Sequence, residues 1–509
     1  MTGQLPVLQI VVPLIAAPLC LLVRRSGAAF VVALSACWAA FGMSVLLLQR
    51  VLADGPISYA LGGWVAPWGI EYRVDPLSAF VLLFVSGIGA VVVSYAPKSI
   101  GREIPKDRHS LFYTMYVLCL TGLLGIVITG DLFNVFVFLE ISALSSYALI
   151  SLGPRRQALT AALQYLILGT IGATFILIGI GLMYIMTGTL NMADMALRLG
   201  DVTGQRTILV AFAFLTVGIG LKMALFPLHL WLPNAYAYAP SVVTTFLAAT
   251  ATKVSVYLLL RFVFTVFGTG FAFDTLPLDA ILLPMSLLAI FVASTVAIFQ
   301  SDIKRMLAYS SVAQIGYMVL GISLASATGL TAGIVHLFNH ALIKGGLFLA
   351  MGCITYRLGS VEIDEMRGLG RTMPWTMMAW VGGGLGLIGV PITAGFISKW
   401  YLISAALERE WGWLVAALVL LGSLLAVVYV WRVVETAYFQ PPPEKHAGVK
   451  EAPLALLIPT WILIGASLFF GLSTTMSAGV ARRAADALLH RAPIEAPAEP
   501  EPRHGSVIP

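Results

Sequence analysis

Runs of about 20 apolar residues recur from one end of this 509-residue chain to the other, the length a helix needs to cross a ~30 Å hydrocarbon layer. They lie near residues 5–23, 27–49, 76–96, 110–129, 131–151, 158–187, 206–229, 241–263, 278–299, 303–324, 328–355, 375–402, 411–438 and 453–475. The expected fold is an all-α polytopic membrane protein with about fourteen transmembrane helices. Composition decides against a soluble chain, because 59% of the residues are hydrophobic and only 11% charged, where ordinary soluble domains have about 25% charged.

Short basic loops stay cytoplasmic. With the N-terminus outside, the inner loops hold Arg24, Arg25, Lys98, Arg102, Lys106, Arg108, Arg155, Arg156, Lys304, Arg305, Arg357, Arg367, Arg371, Lys445 and Lys450, and the outer loops only Arg50, Arg73, Arg198, Arg206 and Arg409. Both termini are therefore expected outside; Arg482, Arg483, Arg491 and Arg503 are the discordant charges. The net charge of +6 is mostly topology and makes no case for nucleic acid. The first span has no small-residue cleavage site and is followed by Arg24 and Arg25, so it reads as a retained helix. Cys20, Cys37, Cys119 and Cys353 sit in apolar context without paired spacing, which predicts no disulfide framework, no zinc or iron–sulfur motif and no redox cofactor. Residues 479–491 place Val480, Ala484, Ala485, Leu488 and Leu489 on one face, the pattern of a segment lying along the membrane surface. The Pro/Glu/Ala-rich tail 492–509 is expected to be disordered.

Seven ionisable residues fall inside the apolar runs: Glu140, Lys222, Lys253, His336, His340, Lys344 and Lys399. A charge at bilayer depth costs about 2.5–3.5 kcal/mol on insertion scales, so these residues point to an ion or proton path. Two of them sit beside interruptions. GIGLKMALFPLHLWLPNAYAYAPS puts Lys222 five residues before Pro227, with Pro233 following, and GGGLGLIGVPITAGFISKWYL puts Pro391 and Gly395 ahead of Lys399. Proline inside a span removes a backbone donor. Two broken helices in corresponding places are the pattern of inverted-repeat transporters with a midplane site. The organisation expected is three N-terminal spans in 1–109, five-helix units at 110–263 and 278–438 in inverted relation, and a last span with the amphipathic segment in 439–491.

His336, His340 and Lys344 are spaced four apart and share one helical face, an arrangement suited to handing a proton along. A metal site would need two more ligands, and the next residue on the stripe is a cation, so no metal is expected. A bis-histidine haem is disfavoured because two histidines one turn apart cannot reach opposite faces of one iron. Glu140 lies roughly 13 Å into its helix at 1.5 Å per residue, and Lys222 is its expected partner. Plainer readings stand beside these. Snorkelling to the headgroups accounts for Lys304, Arg261 and Arg432 and competes for the buried lysines. A structural helix–helix hydrogen bond competes for His336 and His340, and helix capping is the first reading of Asp75, Asp131 and Asp302.

The segments VDPLSAF at 74–80, GDLFNVFVFLEISALSSYALI at 130–150, LKMALFPLHLWLPNAYAYAPS at 221–241, ATATKVSVYLLLRF at 249–262, SDIKRMLAYSSVAQIGYM at 301–318, HLFNHALIK at 336–344 and GVPITAGFISKW at 389–400 resemble the proton-conducting antiporter family. That family comprises the large subunits of Mrp-type Na⁺/H⁺ antiporters and the antiporter-like subunits of respiratory complex I. The resemblance covers about residues 70–440 and is strongest to the D-type large subunit of Mrp antiporters, with lysine at position 399 and no long C-terminal extension. It implies fourteen helices with two inverted five-helix bundles in a bacterial-type inner membrane, and a chain of buried charges between two half-channels. By matching motif, Glu140 and Lys222 would form the ion pair of the first bundle and Lys253 would bridge toward the centre. His336, His340 and Lys344 would lead to Lys399, the terminal lysine of the second bundle. The partners implied are protons, monovalent cations and other membrane subunits of an Mrp-like complex. Two readings follow: a cation/proton antiporter subunit, or a proton-pumping module of complex I or a membrane-bound hydrogenase. A passive channel is the weaker third, because the broken lysine helices argue against it.

Overall fold

The computed structural model describes residues 2–489 apart from 24 and 447. Arg24, Arg491, Arg503 and the tail expected to be disordered lie outside the described residues. The chain opens with α1 (Leu5–Leu22), α2 (Ser26–Asp54), a short hairpin of β1 (Ile57–Ala60) and β2 (Glu71–Val74), and α3 (Pro76–Glu103). A first group follows: α4 (His109–Ile128), α5 (Leu132–Ser151), α6 (Gln157–Thr187), the short α7 (Met192–Arg198), α8 (Arg206–Met223), α9 (Trp231–Tyr238), α10 (Ser241–Ala249) and α11 (Ala251–Leu260). A second contains α12 (Leu278–Ile298), α13 (Ile303–Ser323), α14 (Ala327–Leu358), the one-turn α15 (Leu369–Thr372), α16 (Pro374–Ile388), α17 (Ala394–Leu407) and α18 (Gly412–Phe439). The chain closes with α19 (Leu454–Leu472) and α20 (Thr475–Leu489).

Among the described residues, 13 helical stretches are long and apolar enough to cross a membrane. The fourteenth run is present but split: α16 and α17 hold 15 and 14 residues on either side of a break, each too short to span alone. Asp75, Asp131 and Asp302 cap helices as expected. Each carboxylate accepts the backbone N–H three residues on, from Ser78, Asn134 and Arg305, and Asp75 completes a capping box with Ser78. Small residues let helices close on one another; a Cβ on Gly218 of α8 would meet Gly172 O of α6 at 2.7 Å.

The internal repeat is visible in the backbone. In the first group, Leu132 N–H donates to Leu190 O at 2.9 Å and Met192 N–H to Gly130 O at 2.8 Å, clasping Asp131 to Asn191. In the second, Ile303 N–H donates to Val361 O and Ile363 N–H to Ser301 O, both at 2.9 Å, clasping Asp302 to Glu362. The two clasps lie at opposite ends of α3. Gly130 lines a cavity with Asp75 and Pro76, whereas Val361 lines one with Arg102 and Glu103. The repeats are therefore inverted, and the second cavity also collects Arg155, Lys304 and Arg357, so cations from three helix ends and the α5–α6 turn share one end.

Two expectations change. Arg261, Lys304 and Arg432 do not snorkel. Arg261 is buried and grips Asp75 through both terminal nitrogens, at 2.6 and 2.5 Å, and Tyr257 through Nε at 2.8 Å. Lys304 is buried on Ala239 O at 3.2 Å, and the Arg432 guanidinium donates to Ile298 O and to Gln300 O at 3.1 Å. Carboxylates and freed helix-end carbonyls offered nearer acceptors than the headgroups. The C-terminal amphipathic segment also departs from its surface reading. Val480, Ala484, Ala485 and Leu488 are buried where α20 packs on α3 and α14, an alanine-rich face narrow enough for close helix contact.

Candidate proton path

The first break follows from residues 224–230. α8 stops where Ala224 takes a left-handed conformation at φ 59°, Pro227 sits in the link, and α9 begins at Trp231. Pro233 falls in the first turn of α9, where a missing N–H has no intrahelical acceptor to lose, so it starts the second half-helix and does not break the first. Lys222 lies in the last turn of α8, where the helix dipole favours a cation. Its ammonium is buried, 3.6 Å from Glu140 Oε1 of α5. The neighbouring carbonyl, Leu221 O, takes the Trp231 indole N–H at 2.9 Å, which leaves Lys222 free to face the carboxylate. The Glu140 side chain is 26% exposed, so one edge of this buried pair reaches the outer surface of the chain.

A cavity of about 30 Å³ adjoins Lys222, lined by Ser142, Ser146, Tyr165, Ala251 and Ser255. That is room for a water with several polar partners, and it leads to α11. There the structure holds a break absent from the sequence reading. α10 and α11 are interrupted at Thr250 (φ −124°, ψ −57°), and Lys253 donates across the interruption to Ala248 O, and to Thr252 Oγ1 at 3.3 Å. Neither proline nor glycine marks it. The available signal was the threonine cluster, since Thr245 and Thr250 bond back to the carbonyls of Ser241 and Phe246, four residues earlier.

α14 carries His336, His340 and Lys344 on one face, as the spacing predicts. The two imidazoles lie parallel within 3°, centroids 6.0 Å apart. His336 Nδ1 is 2.8 Å from Ser398 Oγ, while its Nε2 and both nitrogens of His340 are buried with no hydrogen-bond partner among the described residues. Buried imidazole nitrogens without protein partners are where water or a transferred proton is expected. Lys344 donates to Leu307 O at 2.7 Å and to Ser310 Oγ of α13. Lys253 lies within electrostatic reach of His336, His340 and Lys344, and Lys399 within reach of His336.

The second break spans residues 389–393, with Gly389 at φ 85°, Pro391 in the link and Ile392 at φ 78°. A β-branched residue in the left-handed region is strained, and a non-glycine residue in that region sits at the breaks beside Lys222 and Lys399, as Ala224 and Ile392. Lys399 lies beyond its break, on α17. It reaches back to the last carbonyls of α16, Leu387 O at 3.0 Å and Ile388 O at 2.9 Å, and to Ser423 Oγ at 2.8 Å, with its ammonium 4.8 Å from the Tyr317 ring centre. Lys222 precedes its break and pairs with a carboxylate, whereas Lys399 follows its break and caps a half-helix.

Residues 129–426 match the family described as NADH:quinone oxidoreductase/Mrp antiporter, TM. The chain belongs to this family. All seven candidate residues fall inside the matched region. Similar curated proteins include NADH-quinone oxidoreductase subunit N of Desulforudis audaxviator, 41% identical over 91% of this chain and 94% of that protein. A D-type Na⁺/H⁺ antiporter subunit of Alkalihalophilus pseudofirmus is 30% identical over 84% of this chain and 85% of that protein. In fold, the chain superimposes on one from the Mrp complex of Dietzia sp. with a TM-score of 0.87, covering 96% of this chain and 97% of that one at 24% identity.

Within this family member the sequence reading located the charges but not their supports. Trp231, Ser310, Ser398 and Ser423 bond to the candidate residues or to the backbone beside them, and each is an ordinary packing or capping residue until its partner, 10 to 62 positions away, is known.

Proposed function

We propose that this chain is a proton-translocating subunit of a multi-subunit monovalent cation/proton antiporter, with Na⁺ the expected cation, in a bacterial-type inner membrane. The observation that carries the reading is the buried Lys222–Glu140 pair at 3.6 Å beside a broken helix. Separating that pair leaves a buried charge without its counter-ion and favours release of a proton; re-forming it restores the charge. The cavity beside Lys222 reaches Ala251 and Val254, on either side of Lys253 in α11; the proposed route passes through Lys253 to the imidazoles of α14 and ends at Lys399. In this reading the first antiporter unit runs from about 110 to 263 and the second from about 278 to 438. Both termini face out, which the gathering of Arg102, Arg155, Lys304 and Arg357 at one end supports.

A second reading is a redox-driven proton pump module, in which electron transfer in another subunit powers the same buried residues. It is favoured by the 41% identity to an NADH-quinone oxidoreductase subunit N, against 30% to the Na⁺/H⁺ antiporter subunit of A. pseudofirmus. Mild solubilisation of native membranes, capture of this chain and mass spectrometry of its partners separates the two. Small hydrophobic antiporter subunits support the first reading; iron–sulfur proteins overturn it in favour of the second.

A further inference from the structure

The end of the molecule that collects the arginines is hollow. A cavity of about 400 Å³ opens between the C-terminal ends of α3 and α14, the α5–α6 turn, the α9–α10 link and the start of α13. Arg102, Arg155, Lys304 and Arg357 line it together with a single carboxylate, Glu103. That carboxylate lies within electrostatic reach of Lys304 but accepts its hydrogen bonds elsewhere. It accepts the Ser99 hydroxyl at 2.9 Å and the backbone N–H and hydroxyl of Ser241 at 2.8 and 3.1 Å. Lys304 is buried with one hydrogen bond among the described residues, to Ala239 O at 3.2 Å, although an ammonium has three protons to place. Arg155 lies within electrostatic reach of Lys304, and both lie within reach of Asp302, the cap of α13, but neither cation forms an ion pair among the described residues, and two carboxylates face four cations. Arg102 and Arg357 both flank the Tyr356 ring, at 5.1 and 5.6 Å from its centre.

Positive loops follow from membrane topology alone, but topology asks only that cations face water. It does not call for four of them around one concavity, nor for a buried lysine among them. Like charges held together in a partly dry site call for an anion, and arginine forks with an ammonium match phosphate oxygens in geometry. We propose that this cavity binds a phosphate-bearing anion, either the headgroup of an anionic phospholipid or a soluble phosphate compound. Basic pockets between helices on the cytoplasmic side suit such headgroups. The site is coupled to the buried charges by position. Lys304 lies in the first turn of α13, about one turn before Leu307 and two before Ser310, which hold Lys344. The inference does not depend on which cation, if any, the chain exchanges.

The test uses the whole complex, purified through the full-length chain and placed in nanodiscs of phosphatidylcholine alone or with phosphatidylglycerol. The readouts are thermal unfolding midpoint and lipid retention by native mass spectrometry, for wild type and R102Q/R155Q. Inorganic phosphate is titrated separately in phosphatidylcholine discs, with chloride at equal ionic strength as control. Each arginine removed is expected to weaken apparent affinity about fivefold, and the pair about 25-fold. Stabilisation by phosphatidylglycerol that the double variant loses identifies a lipid site; stabilisation by phosphate alone that it loses identifies a soluble ligand. The proposal is overturned if wild type responds to neither probe, or if wild type and variant respond alike. Should the double variant fail to assemble, R155Q alone carries the test, because Arg155 sits on an exposed turn with no side-chain hydrogen bond to lose among the described residues.

Discussion

Replacing Glu140 by glutamine keeps the side-chain shape and removes the charge facing Lys222. At 3.6 Å and an effective dielectric of about 20, the Coulomb attraction is about 4–5 kcal/mol. Breaking a buried pair from one side typically costs about 3–5 kcal/mol. Together the two figures correspond to roughly 10²–10⁴-fold in any step that requires the charged pair. The carboxylate is partly exposed, which favours the lower end of that range. The assay is cation-driven proton movement in inverted vesicles, read with a pH-sensitive dye, alongside co-purification to score assembly. E140Q should assemble and lose at least 99% of its exchange, roughly the lower bound of that range. R482Q, which breaks only an exposed Arg482–Asp486 pair, should behave as wild type. Wild-type exchange by an assembled E140Q complex would refute the assigned path.

Lys399→Ala removes three hydrogen bonds and uncaps Leu387 O and Ile388 O; exchange should fall to background in vesicles while co-purification persists. Gly395→Ala drives a Cβ into Gly386 O, a backbone contact that cannot yield, so the half-helices must part at a cost of about 1–3 kcal/mol; a lower unfolding midpoint and reduced exchange are expected together. Asp75→Asn tests the Arg261 anchor by thermal unfolding against pH. Burial pushes the Asp75 carboxyl up, but the charge and hydrogen bonds of Arg261 and the bonds from Ser78 outweigh it and hold it at about 2, from an ordinary 3.8. That difference is worth about 2 kcal/mol. Because the folded value is the lower one, the stabilisation is complete above about pH 4 and fades as pH falls toward 2. D75N should therefore unfold earlier at pH 7, and the gap should narrow in acid; a constant gap would show that the charge is not responsible.

Much of this molecule can be read from the chain because lipid is an unforgiving solvent. Apolar runs of spanning length must become helices, and a charge inside one needs a reason, so the fourteen runs and the seven buried residues follow from local pattern. Asp75, Asp131 and Asp302 are legible as caps for the same reason, since a cap depends on residues three positions away. Pro227 and Pro391 announce two breaks. Thr250 announces its break only faintly, because Thr245 makes the same hydroxyl bond to a carbonyl four residues earlier without interrupting α10.

What lies beyond the chain's reach involves partners distant in sequence. Periodicity alone does not tell that Arg261 meets Asp75, 186 residues away, or that His336 meets Ser398, 62 away. The inverted repeat is equally silent in residue identity, since Asn191 and Glu362 differ while the backbone bonds around them match. The sequence by itself determined which segments enter the membrane and which charges go with them, through hydrophobicity and local hydrogen bonding. The sequence also named Glu140 as the partner of Lys222, which the 3.6 Å contact matches; only the tertiary structure decided that Lys399 caps a half-helix, because that depends on which end of a broken helix its ammonium can reach.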